Sequence, residues 1–292
     1  MRLSDKQIDT FSKRGDFIHA WYSYRMIRET LESTDLPGLS FEVYAQGSYA
    51  NKTNIDGDSD VDLVIALKSS FYPDKEELSD PEIEEYERYY QRSEVTWQRF
   101  REAVLKVLST WYSVKEKSKC VNVRSNLIRL PADVLIALDH RHYRSFLSFL
   151  EQEYVDGVQF YTSKDVKIIN YPREHIQACG SKDRKVRGQF KPVVRVAKNA
   201  RNTLLADNAV KLKDGAVPSY FLESLLWNVD DSCFEGDLPE VYRNVVRWLL
   251  ENPGELTEMT FPNGMAKLFG KAQDAVWNVS DAQALIAGLQ PG

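Results

Sequence analysis

The sequence predicts an α+β chain: a mixed sheet with flanking helices, followed by a helical lobe. Three observations carry that expectation. Phe41, Val43 and Ala45 alternate with Glu42, Tyr44 and Gln46, and a second strand-like run, 60–67, follows a polar loop. Apolar residues then recur at helical spacing over 188–205, 218–227 and 239–250. A chain of 292 residues, 43% of them hydrophobic, is long enough for two lobes with an active site in the cleft between them. The expected division is a sheet lobe over 1–165, including a long N-terminal helix, and a helical lobe over 166–292.

Residues 5–34 read as one helix, with Ile8, Phe11, Phe17, Trp21, Tyr24, Ile27 and Leu31 on its apolar face, Ser4 as N-cap and Leu36-Pro37-Gly38 as its stop. The strand 41–46 leads into a Gly47-Ser48 turn. Residues 70–80 read as a polar loop, and Pro81 stands where a helix begins. One long helix is expected from there to about Val114, spanning both lobes with a break near Ser93. Residues 120–123 and 127–138 return to strand. Pro131 cannot donate to a ladder, so an edge or a bulge is expected just before Asp133. Residues 139–144 read as a solvated loop, 146–150 with 157–161 as a hairpin, and Tyr171-Pro172 as a turn. A last helix over 274–289 precedes the tail Gln290-Pro291-Gly292.

No stretch approaches the ~20 apolar residues of a membrane span, and the N-terminus lacks the apolar core of a signal peptide. Cys120, Cys179 and Cys233 match neither a disulfide framework nor a zinc spacing. A cytoplasmic protein with reduced thiols and no membrane partner is expected. The net charge of −5 argues against a duplex-coating protein but hides an asymmetry. Residues 74–94 carry nine acids against Lys75, Arg88 and Arg92, which suits a solvated helix face. Residues 164–201 carry eleven Lys and Arg against Asp165, Glu174 and Asp183, interleaved with apolar residues, which suits phosphate contact equally well.

The chemistry is organised around 47–67. Asp60 and Asp62, at i and i+2 on a strand, point to one face, while Val61 and Leu63 point into a core. Carboxylates so close repel one another unless a cation lies between them. A hard divalent ion such as Mg²⁺ takes oxygen ligands of this kind. A third carboxylate would complete a two-metal site, and Asp133, opening an apolar strand in the same lobe, is the candidate. Gly47 permits close backbone approach, and Ser48 with adjacent N–H groups suits phosphate oxygens. A calcium loop through Asp56, Asp58, Asp60 and Asp62 fails, because no Glu follows at the required distance and 60–65 reads as strand.

Gln46-Gly47-Ser48-Tyr49 with Asp60-Val61-Asp62 resembles the polymerase-β-like nucleotidyltransferases, and specifically the bacterial cGAS/DncV-like nucleotidyltransferases (CD-NTases) of CBASS anti-phage systems. Three further matches follow in order: Asn170-Tyr171-Pro172-Arg173-Glu174-His175; Phe190-Lys191 with Arg195-Val196-Ala197-Lys198-Asn199; and Pro218-Ser219-Tyr220-Phe221-Leu222-Glu223. The resemblance implies a polymerase-β-like lobe plus a helical lobe, with Asp60, Asp62 and Asp133 as catalytic ligands of two Mg²⁺ ions, Mn²⁺ being able to substitute. It makes Gln46, Gly47 and Ser48 the cradle of the donor triphosphate. Lys198 and Ser219 would contact phosphate or ribose and Tyr220 would stack on a base, the plain alternatives being a solvated helix lysine and a core tyrosine. Asn170, at the expected lid, would read a pyrimidine such as uracil through its carboxamide.

The implied activity is template-independent synthesis of a cyclic di- or oligonucleotide from ATP, UTP or GTP, a dinucleotide with uridine among its candidate bases being the leading product. Linear 2′-5′ synthesis, nucleotide transfer to tRNA or protein, and an inactive binding module are the alternatives. An effector activated by the cyclic nucleotide would be an indirect partner, and a ubiquitin-transfer-like enzyme could act on Gly292. His19, His140, His142, His175 and the scattered cysteines cannot build the zinc insertion of the DNA-sensing animal enzyme, so activation by DNA is not expected.

Overall fold

The computed structural model describes residues 1–57, 60–90, 95–212, 215–270 and 277–290. In chain order these form α1 (Asp5–Phe11), α2 (Ile18–Glu32), β1 (Phe41–Ala45), α3 (Gly47–Asn51), β2 (Val61–Asp74), α4 (Asp80–Tyr89), α5 (Trp97–Trp111), β3 (Val114–Glu116) and β4 (Val121–Val123). There follow β5 (Ala132–Ser148), β6 (Glu151–Tyr161), β7 (Lys167–Asn170), α6 (Pro172–Lys185), α7 (Phe190–Ala206), α8 (Ser219–Trp227), α9 (Leu238–Glu251) and α10 (Val279–Leu289). Two compact units result, and each is discontinuous in sequence. One holds Phe17–Gln46 and Ser59–Arg173; the other holds Met1–Asp16, Gly47–Asp58 and Glu174–Gly292.

The first unit is built on one sheet in the order β1-β2-β5-β4-β3, with β6 on β5 and β7 on β6. Among the described strand pairs of this sheet, β2 with β5 is the parallel one. β5 is the spine: β2 lies along one edge, while the other edge takes β4 at its start and β6 from Leu138 onward. Phe100 of α5 packs near Phe41, with ring centroids 6.4 Å apart, so α5 covers the sheet face that carries Leu63, Ile65 and Leu67. Trp97 seals this by donating its indole N–H to the Ile136 carbonyl at 2.8 Å. The opposite face carries Asp62, Val64 and Ala66 beside Asp133, Leu135 and Ala137. Both faces are buried through 63–67 and 134–138, which is why these runs read as continuously apolar.

The second unit is a single helical core in which Phe190, Val193, Val194, Phe221, Leu225, Val241, Val245 and Leu285 are buried. Each such side chain contributes roughly 1.5–3 kcal/mol. Ser4 caps α1 as expected, and the structure adds a reciprocal capping box with Gln7.

Several expected elements differ, each for a tertiary reason. The helix expected over 5–34 is two helices. At Gly15 the backbone passes so close to Ile55 that a Cβ would collide with its carbonyl, and the Gly15 N–H donates to the Asn54 carbonyl at 3.1 Å. Residues 71–74 are strand rather than loop, because after a bulge they pair with 139–142. That pairing also makes the expected loop 139–144 part of β5. The helix expected from Pro81 to about Val114 is α4 and α5, both in the first unit, so neither bridges the two units. The break expected near Ser93 lies outside the described residues. Residues 127–131 precede the strand, with Leu127 and Ile128 exposed, and Asp133 lies in the sheet interior rather than on an edge or bulge. Pro131 is tolerated because it stands just before β5 and offers its carbonyl to the Val61 N–H at 2.9 Å. The Gly47-Ser48 turn is the start of α3, and the last helix begins at Val279. Asp58, Asp274, Pro291 and Gly292 lie outside the described residues.

Candidate active site

Asp62 opposes Asp133 in the β2–β5 pair, and Asn122 opposes Asp133 in the β4–β5 pair. Adjacent strands are about 4.8 Å apart, so register alone lines these three side chains up on one face. Asp60 stands one residue before β2, whose start is tied to that of β5 by the Val61–Pro131 bond. The acids predicted from 47–67 are thus brought together with the third, from a strand 71 positions away.

Two further residues complete the cluster. Lys117, on the turn between β3 and β4, sets its Nζ 3.1 Å from Asp60 Oδ2 and 2.9 and 3.0 Å from the two Asp133 oxygens. Asn122 Nδ2 donates to Asp133 Oδ1 at 2.6 Å and to Asp60 Oδ2 at 3.4 Å. Burial draws the Lys117 pKa down, but hydrogen bonds with Asp133 and Asp60 outweigh that and leave it raised, so the side chain is a cation. Burial and the adjacent Asp133 push the Cys120 thiol up to about 12, which keeps it neutral. Carboxylate oxygens gathered around one cation position are the donor set that a hard divalent ion takes. The sequence carries one faint sign of Asn122: a lone polar residue between Val121 and Val123, in a strand whose residues are all buried.

On the neighbouring strand the Gln46 N–H donates to the Asp62 carbonyl at 2.9 Å, extending the β1–β2 ladder by one bond. Gly47 follows with φ +65°, a conformation that strains a residue bearing a Cβ and lets the chain turn straight from strand into α3. The segment after α3 is held from within its own unit. Glu223 is fully buried and accepts from Asn51 Nδ2 at 2.8 Å and from the Thr53 hydroxyl. His175 Nε2 lies 3.1 Å from the same carboxylate. Burial would push the Glu223 carboxyl up, but His175, Thr53 and the charge of Lys198 outweigh it and hold the pKa low. Lys198 Nζ donates to the Thr53 carbonyl at 3.0 Å.

The remaining candidates are spread out. Lys198 is completely buried, so it is no solvated helix residue. Ser219 opens α8 with its hydroxyl 3.5 Å from Arg201 Nη1. Tyr220 packs against His175 at 4.5 Å, Phe261 at 5.7 Å and Trp277 at 6.0 Å, yet keeps 42% of its surface exposed. Asn170 is exposed at the end of β7, in register with Val158. The basic run 164–201 is not a continuous cationic surface. Lys182 and Lys185 bind Asp231, Arg195 donates to the Ser12 and Lys52 carbonyls, and Arg201 donates to that of Val217.

Among the described residues, the ligand atoms of His175, Cys179 and Glu223 lie within 4.8 Å of one another. Both Glu223 oxygens already accept from Asn51 and Thr53, so hydrogen bonding accounts for this cluster.

Residues 177–291 match the C-terminal helical domain of the cGAS/DncV-like nucleotidyltransferases, and residues 25–130 match the nucleotidyltransferase domain. A cyclic UMP-AMP synthase from Rhodothermus marinus is 33% identical over 291 residues, 98% of this chain and 96% of that protein. A cyclic nucleotide synthase, CdnE01, from Staphylococcus haemolyticus is 31% identical over 98% of this chain and 97% of its own length. The solved structure of the Rhodothermus marinus CdnE c-UMP-AMP synthase with Apcpp and Upnpp superposes with a TM-score of 0.86 at 32% identity, covering 98% of this chain and 95% of that one.

Proposed function

The chain belongs to the cGAS/DncV-like nucleotidyltransferases, and on that premise we propose that it joins two nucleoside triphosphates, without a template, into a cyclic dinucleotide second messenger of anti-phage defence. The observation that carries this reading is the in-register pair Asp62 and Asp133 with Asp60 beside them.

In each of two rounds an acceptor ribose hydroxyl gives up its proton to solvent and forms a bond to the donor α-phosphorus, the bond from that phosphorus to the oxygen bridging to the β-phosphate breaks, and pyrophosphate leaves. The linear product of the first round is closed in the second. Asp60, Asp62 and Asp133 would hold two Mg²⁺ ions, or Mn²⁺, which supply an activated acceptor hydroxyl and a clamp on the triphosphate. Asn122 orients the Asp133 carboxylate through its 2.6 Å bond. Gln46, Gly47 and Ser48 bind the donor triphosphate, chiefly through backbone N–H groups. Tyr220 stacks on a base with its exposed ring, and Ser219 contacts phosphate or ribose. Lys198, its amine buried on the Thr53 carbonyl, acts on the nucleotide through that segment. Asn170 reads uracil through its carboxamide, and the relative named as a cyclic UMP-AMP synthase supports uridine among the bases used. The chain's site of action in this reading is the cytoplasm; among the described residues no helix is long and apolar enough to cross a membrane. Attachment of Gly292 to another protein by a ubiquitin-transfer-like enzyme is a separate proposal, read out by mass spectrometry of the protein co-expressed with its genomic neighbours.

The test is incubation with four labelled NTPs and Mg²⁺, followed by phosphatase and mass analysis. A phosphatase-resistant dinucleotide containing uridine is expected. A product that loses its terminal phosphates would identify a linear synthase, and transfer of label to protein or tRNA would replace the reading altogether.

A further inference from the structure

Lys117 takes no part in the proposed chemistry, yet its ammonium is bonded to two of the three acids that chemistry needs. Nothing about the turn between β3 and β4 requires this contact. The turn is closed by its own backbone, the Lys117 N–H donating to the Cys120 carbonyl at 2.9 Å, and the Lys117 side chain stays 39% exposed, with room to swing away. Asp60 and Asp133 carry like charges, and a cation set between them offsets their repulsion.

We propose that Lys117 is a tethered counter-ion: it fills the cation position shared by Asp60 and Asp133 and yields it to a divalent ion. The inference rests on the metal reading of those acids. The exchange is physically reasonable in sign. A doubly charged ion at about 2.1 Å attracts each carboxylate roughly three times as strongly as an ammonium at 2.9 Å, before the cost of shedding water is counted. Lys117 therefore lowers the metal affinity of the free protein without blocking the site. Once displaced, its ammonium sits on an exposed turn, free to meet the phosphates that arrive with the ion. Metal entry and nucleotide entry become coupled through one side chain.

The experiment is Mn²⁺ binding to the full chain without nucleotide, followed by electron paramagnetic resonance, for the wild type, Lys117→Met, Lys117→Arg and Asp133→Asn. Lys117→Met is expected to bind Mn²⁺ roughly five- to tenfold more tightly, while Lys117→Arg, which keeps a competing charge, stays near wild type. In EDTA, Lys117→Met should melt lower than wild type and gain more from added Mn²⁺. Equal or weaker Mn²⁺ binding by Lys117→Met, with binding still lost in Asp133→Asn, overturns the role of Lys117 alone. Absence of Mn²⁺ binding from both wild type and Lys117→Met overturns the metal reading and this inference with it.

Discussion

Asp62 and Asp133 oppose each other in the parallel β2–β5 pair without a residue of offset, and the register holds from Val61 to Leu67 before the bulge. Slipping either strand by one position would turn its acid to the other face and bring Leu63 or Val134 in its place.

Asp62→Asn and Asp133→Asn keep the side-chain shape but remove the charge, and Asp133→Asn also replaces one of the two oxygens that accept from Lys117. Each should cut product formation by about 10²-fold or more while leaving the circular dichroism spectrum and melting temperature near wild type. Asn122→Ala, which frees the Asp133 carboxylate to rotate, should cost about 10–100-fold. Initial rates under saturating NTPs check both.

Glu223→Ala leaves His175 and Lys198 facing a buried gap and should destabilise the protein by about 3–5 kcal/mol in urea titrations. The pH dependence follows from the sign of the shift. The folded-state pKa lies below the ordinary 4.5, so the unfolded chain takes up the proton first as pH falls. The stabilisation is complete above about pH 4.5 and disappears as pH drops through the lowered value. Glu223→Gln should flatten that acid limb.

His140 and His142 titrate in opposite senses. Burial lowers His140 to about 4. Burial also acts to lower His142, but hydrogen bonds to Asp74 at 2.8 Å and Glu77 at 3.0 Å outweigh it and raise its pKa above 6.5. For His142 the stabilisation is full below pH 6.5 and lost as pH rises through the raised folded-state pKa. For His140 stability falls as pH drops from 6.5 toward 4, because the unfolded imidazole charges first. Melting curves across pH 4 to 8 should show His142→Gln losing the first trend and His140→Gln losing the second.

Tyr220→Ala should raise the KM for nucleotide by roughly 5–150-fold, the range that ~1–3 kcal/mol of base stacking implies, while Tyr220→Phe stays near wild type. Asn170→Ser should shift product composition away from uridine in competition among four NTPs. Unchanged composition would remove Asn170 as a base reader.

The acids were legible because short-range pattern marks them: a polar pair on an alternating strand, and an Asp opening an apolar run. Lys117 and Asn122 were not, since only strand pairing gives them their partners. The second half of β5 was hidden for a related reason. Arg141 reads as loop in isolation, yet it lies 4.1 Å from the Phe71 ring and 4.5 Å from that of Tyr154, two aromatics brought in by β2 and β6. His140 is buried beside Tyr171, which arrives from beyond β7. Helical segments fared better because their apolar period is local, as in α7, α8 and α9.

The chain passes between its two units at 16/17, 46/47, 58/59 and 173/174. Neither unit can therefore be excised as one stretch of sequence. A chimera that grafts a relative's residues 174–292 onto this catalytic sheet would separate Glu223 and Lys198 from the Asn51 and Thr53 they evolved with. A stably folded chimera between family members is expected only when 1–16 and 47–58 travel with the C-terminal residues, so the productive recombination points are four rather than one.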